Sequence, residues 1–194
     1  MSLFTKKLPA VIKGCKANKR PDQEALYKLF YTDMLRLCYR YLKSDELAQE
    51  ALNAGFLKVF QNIGGFNEQK GEPGAWIHAI MVNTCIDLGR KEARFNEITS
   101  TDELGDEAFV APEVLDKLYV EDLLIAIRTL PAATQLVFNL SVLDGYAHHE
   151  IAEQLHITES TSRWHLSEAK KQLRTLLQPK QTKVTPTENP RKAQ

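Results

Sequence analysis

Residues 148–177 read HHEIAEQLHITESTSRWHLSEAKKQLRTLL and have the layout of a helix-turn-helix. The pattern predicts a short amphipathic helix up to Leu155, a tight turn over residues 156–158, and then a longer helix. Thr158 stands where the second helix begins, and its hydroxyl can accept a hydrogen bond from an unpaired backbone N–H. Ala152 is small enough to let the two helices cross closely. The core between the helices is expected to contain Ile151, Leu155, Ile157 and Leu166.

The second helix of this pair is expected to present a polar and basic surface to DNA. When its leucines point inward, the polar residues of this helix point outward. There an arginine can pair with guanine, hydroxyl groups can contact bases or phosphates, and lysines can neutralise the charge of the DNA phosphates. The residues predicted to contact DNA are Ser160, Thr161, Arg163, Trp164, His165, Ser167, Lys170, Lys171 and Arg174. An ordinary amphipathic hairpin with a solvated basic surface would show the same spacing, so the spacing alone does not separate the two.

Upstream of this stretch, apolar residues recur with a period near 3.6, and no sustained period-2 alternation is bounded by hairpin turns. The pattern predicts an all-α chain. Three helices are expected in its first half: one over residues 22–42, one that follows Ser44 as its N-cap, and one that begins near Pro73. Further helices are predicted on either side of Pro131.

The charges are segregated along the chain, although 25 basic residues balance 25 acidic ones. Both ends are basic, whereas residues 97–122 contain nine acidic residues and one Lys. Periodicity fades in the same stretch, while Ser, Thr, Gly and Pro accumulate, as in a solvated linker. The predicted organisation is two small helical domains: residues 1–95 with a basic N-terminal tail, an acidic flexible linker over 96–118, a helix-turn-helix domain over 119–178, and a disordered basic tail over 179–194.

The sequence carries no pattern typical of a metal site, a membrane span or an active site. Three cysteines without a C-x-x-C pair, and five histidines without ligand spacing, predict neither a disulfide nor a metal. Cys38 and Cys85 fall on apolar stripes, where a free thiol acts as a small core residue. No apolar run approaches the roughly 20 residues of a membrane span, and no secretory signal is present, so we expect a cytoplasmic chain. We also predict no cofactor and no enzymatic activity.

Two parts of the chain resemble the two regions of one family of transcription factors. HEIAEQLHI at 149–157 and STSRWHLSEAKKQL at 160–173 resemble region 4 of the extracytoplasmic-function (ECF) sigma factors, in the sigma-70 family. YRYL at 39–42, DELAQEALNAGFLKVF at 45–60 and GAWIHAIMVNT at 74–84 resemble region 2. The order of the two regions, the linker between them and the absence of a large middle domain also fit this family.

The resemblance implies a promoter-specificity subunit that binds core RNA polymerase and directs it to promoter DNA. Region 4 would read the −35 element with the outward residues of its second helix. Region 2 would engage the −10 element through Phe66, Asn67, Lys70, Trp76, Asn83 and Arg90. The residues that would bind core polymerase are Asp45, Glu46, Gln49, Glu50 and Asn53. The family also implies an anti-sigma factor as a further partner.

Some of these residues have a second interpretation on physical grounds. Trp76 lies on an apolar stripe, and packing in the core explains it better than stacking on a DNA base. The acidic residues at the start of the second predicted helix favour the positive end of the helix dipole, whether or not they contact polymerase. The polar, glycine-bearing loop over residues 66–74 fits the family's pocket for a flipped base as well as it fits a plain connection.

The sequence departs from the family pattern at four places. His156 stands where the family has a glycine in the turn, and histidine tolerates a positive φ better than most residues. Ser162 replaces a buried valine, which predicts a weaker core between the helices. Glu168 stands near the place of a basic residue and would repel phosphates unless it accepts from a cytosine or pairs with a basic neighbour. Asn53-Ala54 replaces the usual Gln-Glu and alters the predicted polymerase contact.

Two other functions are open to a chain with this pattern. A stand-alone helix-turn-helix regulator would bind a palindrome as a dimer and would not need polymerase. A helical adaptor that imitates a sigma factor and titrates a regulator would show no DNA affinity even at low salt, where phosphate contacts are strongest.

Overall fold

The computed structural model describes residues 8–99 and 118–177, with the side chains of 8–92 and 123–177. Regular structure within these ranges is helical and includes no strand, which confirms the predicted all-α fold. The α-helices are α1 (Leu8–Lys16), α2 (Arg20–Tyr41), α3 (Asp45–Asn62), α4 (Pro73–Thr99), α5 (Leu118–Arg128), α6 (Ala132–Phe138), α7 (His148–Leu155) and α8 (Glu159–Leu176). None of the helices in the described ranges is long and apolar enough to cross a membrane.

The N-terminal half, α1–α4, is built on the mutual packing of α2, α3 and α4. A Cβ on Gly55 would lie 2.4 Å from Met81 Sδ and 3.8 Å from Met81 Cα, so a larger residue here would displace the flexible end of the Met81 side chain. The fully or almost fully buried side chains of this core include Leu26, Leu37, Cys38, Leu52, Val59, Ile77, Met81 and Cys85. The two cysteines are free and act as core residues, as predicted; a hydrogen bond to Cys38 and burial raise the pKa of Cys85.

The ends of these helices follow the local signals in the sequence. Ser44 caps α3 as predicted, because its Oγ accepts a hydrogen bond of 3.1 Å from Leu47 N. α3 ends at Asn62 and continues into a 3₁₀ turn over Ile63–Gly65, which contains the predicted glycine stop. α4 begins at Pro73, where the missing N–H of proline costs nothing.

Helix α1 was not expected from the sequence, which predicts only a basic tail before residue 22. Its Ile12 and Cys15 are buried against α2, and the helix ends where Asn18 takes a left-handed conformation with a φ of 56°. A nine-residue helix is unstable by itself and forms here because it packs on a neighbour. The segment Leu8–Lys16, which the sequence analysis described only as part of a basic tail, is therefore helical.

The predicted linker and C-terminal tail fall almost entirely outside the described residues. α4 continues through Asn96 to Thr99, into the start of the predicted linker, because a nucleated helix adds one backbone hydrogen bond per residue and needs no apolar stripe to continue. α5 begins at Leu118. Residues 100–117, with most of the acidic stretch, and residues 178–194 are outside the described part of the chain.

The C-terminal half, α5–α8, has a small core between α5, α6 and α8. α6 runs on as a π-helical turn over Asn139–Leu143, and the chain then breaks at Asp144 and Gly145, as predicted; Gly145 has a φ of 77°. The wider π turn brings both Asn139 and Asp144 toward the end of α2. The buried apolar residues of this core are Ala126, Ile127, Leu130, Phe138, Ala169 and Leu173.

The two halves pack against each other rather than standing apart. Val137, Leu140 and Ile151 of the C-terminal half are completely buried and belong to the same apolar core as the side chains of α2, α3 and α4. α5 also packs against α2. The described residues therefore form one continuous apolar core with a small second core between α5, α6 and α8.

The turn between α7 and α8 has the strained backbone that the sequence predicts. His156 has a φ of 56° and a ψ of 44°, in the left-handed region that favours glycine, and its side chain is exposed. Its N–H donates hydrogen bonds to the carbonyls of Ala152 and Glu153 at the end of α7. The histidine thus performs the task of a C-terminal glycine at some cost in backbone energy.

We expect His156→Gly to stabilise the C-terminal half by about 0.5–1 kcal/mol, because the relief of left-handed strain outweighs the extra freedom of glycine in the unfolded chain. Urea unfolding followed by circular dichroism measures this change. His156→Ala is the matched control and should lower the free energy of unfolding. A glycine variant no more stable than the alanine variant would show that the turn is not strained.

Candidate nucleic-acid interface

Helix α8 presents most of the predicted DNA-contacting residues on one outward surface. Thr158 caps it by accepting a hydrogen bond of 3.1 Å from Thr161 N. Ser162, Ala169 and Leu173 are buried on the opposite side, and at 100° per residue this turns the outer positions to solvent. Trp164 is 60% exposed. The exposed residues of this surface are Ser160, Arg163, Trp164, Ser167, Lys170, Lys171 and Arg174.

Two of the predicted residues lie at the edge of this surface rather than on it. Thr161 Oγ1 is 2.8 Å from Thr158 Oγ1 and takes part in the cap. His165 Nδ1 is 3.1 Å from Thr134 Oγ1 of α6, and burial lowers the pKa of His165. The imidazole therefore belongs to the contact between α6 and α8, although its ring also touches the edge of Trp164.

One ion pair and one amide hydrogen bond each join side chains one turn apart on α8. Arg163 Nη2 donates to Glu159 Oε2 at 2.7 Å, with the two side chains 59% and 45% exposed. Such an exposed pair contributes only a few tenths of a kcal/mol, so a stronger partner can displace it. Glu168 accepts from Gln172 Nε2 at 2.8 Å, a partner that the sequence analysis did not consider. Gln172 lies one turn beyond Glu168, and its neutral amide donates a hydrogen bond without neutralising the charge of the carboxylate.

Ser162 is compensated by a residue that the sequence analysis did not single out. The hydroxyl is completely buried, and His148 Nδ1 lies 2.8 Å from Ser162 Oγ. A buried hydroxyl without a partner would cost about 1–3 kcal/mol, and this hydrogen bond removes the cost. His148 therefore offsets the predicted weakening of the core at Ser162. Its position at the start of α7, the first helix of the pair, is the feature of the sequence that could have identified it as a partner.

The loop before α4 contains a buried phenylalanine and several exposed polar residues. Phe66 is 6% exposed, and its ring centroid lies 5.1 Å from that of half-buried Trp76. Lys16 Nζ donates to Phe66 O at 2.7 Å. Phe66, which was predicted to contact the −10 element, is thus buried in this structure between α1 and α4. Asn67 and Lys70 are exposed on the loop.

The remaining predicted −10 residues lie against the C-terminal half. Asn83 Oδ1 accepts from Gln154 Nε2 at 2.8 Å, and Arg90 Nη2 donates to Gln154 O at 2.7 Å. Gln154 belongs to α7, the first helix of the helix-turn-helix. α7 therefore contacts this side of α4, while Asn83 remains exposed and Arg90 is half-buried.

The predicted polymerase-binding residues form a strip along α3. Glu46, Glu50 and Asn53 are exposed and recur at helical spacing, whereas Gln49 is half-buried beside them. Leu57, one turn beyond Asn53, continues the strip and is 58% exposed. The sequence analysis missed Leu57, because an apolar residue on an amphipathic helix is ordinarily expected in the core. At the start of α3, Asp45 Oδ1 lies 3.5 Å from Arg128 Nη1 of α5.

A buried carboxylate joins the two halves of the molecule. Asp144 Oδ1 accepts from Arg40 Nη2 at 2.9 Å and lies 3.2 Å from His78 Nε2, while Oδ2 accepts from the Tyr41 hydroxyl. The side chain of Asp144 is only 1% exposed. Burial alone would raise the pKa of Asp144, but the hydrogen bonds from His78 and Tyr41 and the charge of Arg40 hold it below its usual value.

Both parts of the chain match models of known protein regions. The sigma-70 region 2 family model matches residues 26–95, and the sigma-70 region 4 model matches residues 121–173. A probable RNA polymerase sigma factor of Haemophilus influenzae is 26% identical over 187 residues, which cover 87% of this chain and 95% of that protein. The ECF RNA polymerase sigma factor SigL of Mycobacterium tuberculosis is 28% identical over 174 residues, which cover 87% of this chain and 96% of SigL.

A solved structure has a similar fold. The sigma factor RpoE of Bartonella quintana, crystallised with the anti-sigma factor NepR, superposes with a TM-score of 0.57 at 17% sequence identity. The alignment covers 80% of this chain and 96% of that one. At this identity the likeness concerns the fold.

Proposed function

Because this chain belongs to the extracytoplasmic-function group of the sigma-70 family, with regions 2 and 4, we propose that it binds core RNA polymerase and directs promoter-specific initiation of transcription. The strongest support for the proposal is that two separate family models match the chain, first region 2 and then region 4. A helix-turn-helix alone would be compatible with many regulators. The pair of regions is what favours a subunit of the polymerase.

Region 4 would read the −35 element through the exposed surface of α8. Arg163 can leave its weak pair with Glu159 and donate two hydrogen bonds to a guanine in the major groove. Lys170, Lys171 and Arg174 would neutralise phosphates and position the helix. The large exposed ring of Trp164 suits contact with the methyl groups of thymine, which apolar side chains recognise.

Region 2 would engage the −10 element with its loop and with α4. Asn67 and Lys70 are exposed and able to contact a single strand and its phosphates. The contact between Phe66 and Trp76 would support the loop from beneath rather than stack on bases. Asn83, which is exposed, and Arg90, which is half-buried, would contact DNA from α4 in exchange for their hydrogen bonds to Gln154.

The strip on α3 is the proposed surface for core polymerase. Glu46, Glu50 and Asn53 supply negative and polar groups, and Leu57 supplies an apolar centre of the kind that protein interfaces bury. Asparagine at position 53 can donate and accept hydrogen bonds much as a glutamine can, so this departure from the family pattern keeps the amide chemistry.

The remaining parts of the proposal follow from this role. The protein would act in the cytoplasm, where core polymerase is found, and would have no catalytic activity of its own. An anti-sigma factor is a proposed further partner, since the similar structure from Bartonella quintana is a complex of a sigma factor with one.

Binding to core polymerase tests the proposal directly. We expect the full chain to co-elute with sigma-free core polymerase in gel filtration. Glu50→Lys should weaken this binding by about tenfold, or ~1.4 kcal/mol, because it reverses a charge within the strip. Glu24→Lys, which changes an exposed glutamate of α2 outside the strip, is the matched control and should bind as the native chain does. Failure of the native chain to bind core polymerase would refute the proposal.

A further inference from the structure

We propose that Lys16, the last residue of α1, is a positioning residue for the loop that contacts the −10 element. The loop concerned, residues 66–72, lies immediately before α4 and is named the −10 loop. Lys16 fixes the backbone of this loop at Phe66, and Asn67 and Lys70 take their direction from that point. The inference rests on the proposed function, because only a promoter-binding chain uses the loop to read a −10 element.

The side chain of Lys16 makes two contacts with Phe66. Its Nζ donates a hydrogen bond of 2.7 Å to Phe66 O and lies 5.7 Å from the centroid of the Phe66 ring. Hydrogen bonds from a charged donor are stronger than those between neutral groups, and an ammonium group over an aromatic ring adds a cation–π attraction. The two residues are 50 positions apart in the chain, so this contact joins the N-terminal helix directly to the −10 loop.

Phe66 is held at its N–H, at its ring and at its carbonyl. The N–H donates to Ile63 O at 3.2 Å, the ring packs on Trp76 with the two centroids 5.1 Å apart, and the carbonyl accepts from Lys16. That carbonyl belongs to the planar peptide group that joins Phe66 to Asn67. Lys16 therefore fixes the plane from which the exposed part of the loop begins.

The exposed part of the −10 loop is a short turn that follows this peptide group. Asn67 Oδ1 accepts from Gln69 N at 2.9 Å, and Asn67 O accepts from Lys70 N at 3.0 Å. Asn67 and Lys70 thus belong to one hydrogen-bonded unit whose orientation follows that of the Phe66 carbonyl. Side chains that recognise a ligand need to be held to within roughly 0.5 Å, and residues behind them provide that support. Lys16 provides it for the −10 loop.

The position of Lys16 is itself well defined, because the end of α1 is anchored. Ile12 and Cys15 are buried, and Asn18 N donates to Cys15 O at 2.9 Å where the helix ends. α1 also contacts the 3₁₀ turn that leads into the −10 loop. The match to the region 2 model begins at residue 26, so this support comes from a part of the chain that the family model does not include.

A lysine in the last turn of a helix also stabilises the helix through its dipole, without any contact to a loop. Lys13 lies in the same last turn and is exposed, so it shares this effect. Lys13→Met is therefore the matched control for Lys16→Met, in which methionine keeps an apolar stem and removes the charge and the donor. Lys16→Arg keeps both the charge and the donor and should restore the native behaviour.

The first measurement uses the full-length chain without polymerase or DNA. Hydrogen exchange, followed by NMR at the amides of Phe66, Gln69 and Lys70, should be about tenfold faster in Lys16→Met, because loss of a charged hydrogen bond loosens the loop locally. Exchange in Lys13→Met and Lys16→Arg should remain native, and the circular dichroism of all three variants should show native helicity. Native exchange in Lys16→Met would overturn the proposal.

The second measurement adds core polymerase and pairs of promoter fragments that differ only in the −10 element or only in the −35 element. Lys16→Met should reduce the preference between −10 fragments about fivefold, at the lower end of what one mismatched base pair supplies, and leave the −35 preference native. An unchanged −10 preference would overturn the proposal, and so would an equal loss of affinity for all fragments with a smaller salt dependence, which indicates a direct phosphate contact. Because amide exchange is measured without polymerase, it tests the support of the loop even if the proposed function fails.

Discussion

Arg163→Ala is expected to reduce discrimination between the cognate −35 element and a mutated one by ~1–3 kcal/mol, which is roughly five- to 150-fold in relative affinity. Arg163 lies on the exposed surface of α8, and its only described partner is the exposed Glu159 one turn away. An arginine in that position can bind guanine with two hydrogen bonds, which alanine cannot replace. Stability should change by less than about 0.5 kcal/mol, because an exposed pair of this kind contributes little.

The measurement is competition between promoter fragments for the complex of the protein with core polymerase. Arg174→Ala is the matched control, because its exposed side chain is proposed to contact phosphate. It should weaken binding to all fragments alike and reduce the salt dependence without changing the preference. If Arg163→Ala kept the native preference, the proposed orientation of α8 in the major groove would be wrong.

Trp76→Ala is expected to lower the free energy of unfolding of region 2 by about 3 kcal/mol. This value lies at the lower end of the range for large aromatic residues, since Trp76 is only half-buried. The substitution removes the ring that packs on Phe66 and thereby loosens the loop that carries Asn67 and Lys70. Binding to the −10 strand should weaken as a secondary effect.

Urea unfolding followed by circular dichroism measures this loss, and the chain offers its own control. Trp164→Ala removes the other tryptophan, which is 60% exposed on α8, and should change stability by less than about 0.5 kcal/mol. A loss of less than about 1 kcal/mol in Trp76→Ala would mean that the ring is not part of the core, and would restore the interpretation that it stacks on DNA.

The features that the sequence predicted well are those that local physical chemistry determines. Ser44 caps α3 and Pro73 begins α4 because the hydroxyl and the pyrrolidine ring act on their own backbone. The left-handed turn at His156 follows from the length of the turn and from the small set of residues that tolerate positive φ. In the same way, the spacing of apolar residues along α2, α3, α4 and α8 predicts which side of each helix faces the core.

The features that the sequence did not predict depend on residues far apart in the chain. Arg40 and Asp144 are separated by 104 positions, and no local pattern shows that a basic residue at the end of α2 will meet a turn in region 4. The burial of Phe66 depends on α1, a helix too short to be recognised without its neighbour. Leu57 was assigned no role because periodicity cannot separate an apolar residue in the core from one kept for a partner.

The contacts between α4 and α7 also change how the predicted binding residues should be tested. Asn83 and Arg90 have partners within the chain, so substitutions there would alter both the packing of α7 on α4 and any contact with DNA. Asn67 and Lys70 are exposed on the loop before α4. They are the better positions at which to measure −10 binding alone.

Transcription from genomic DNA fragments by core polymerase, with and without the native chain, tests the central claim most directly. We predict new transcripts whose start sites share two upstream sequence elements at a constant spacing, because regions 2 and 4 are held at fixed positions on the polymerase. The Arg163→Ala variant should change which fragments are used. The same transcripts with and without the chain, or binding of the chain to a palindrome without polymerase, would contradict the claim and favour a stand-alone regulator.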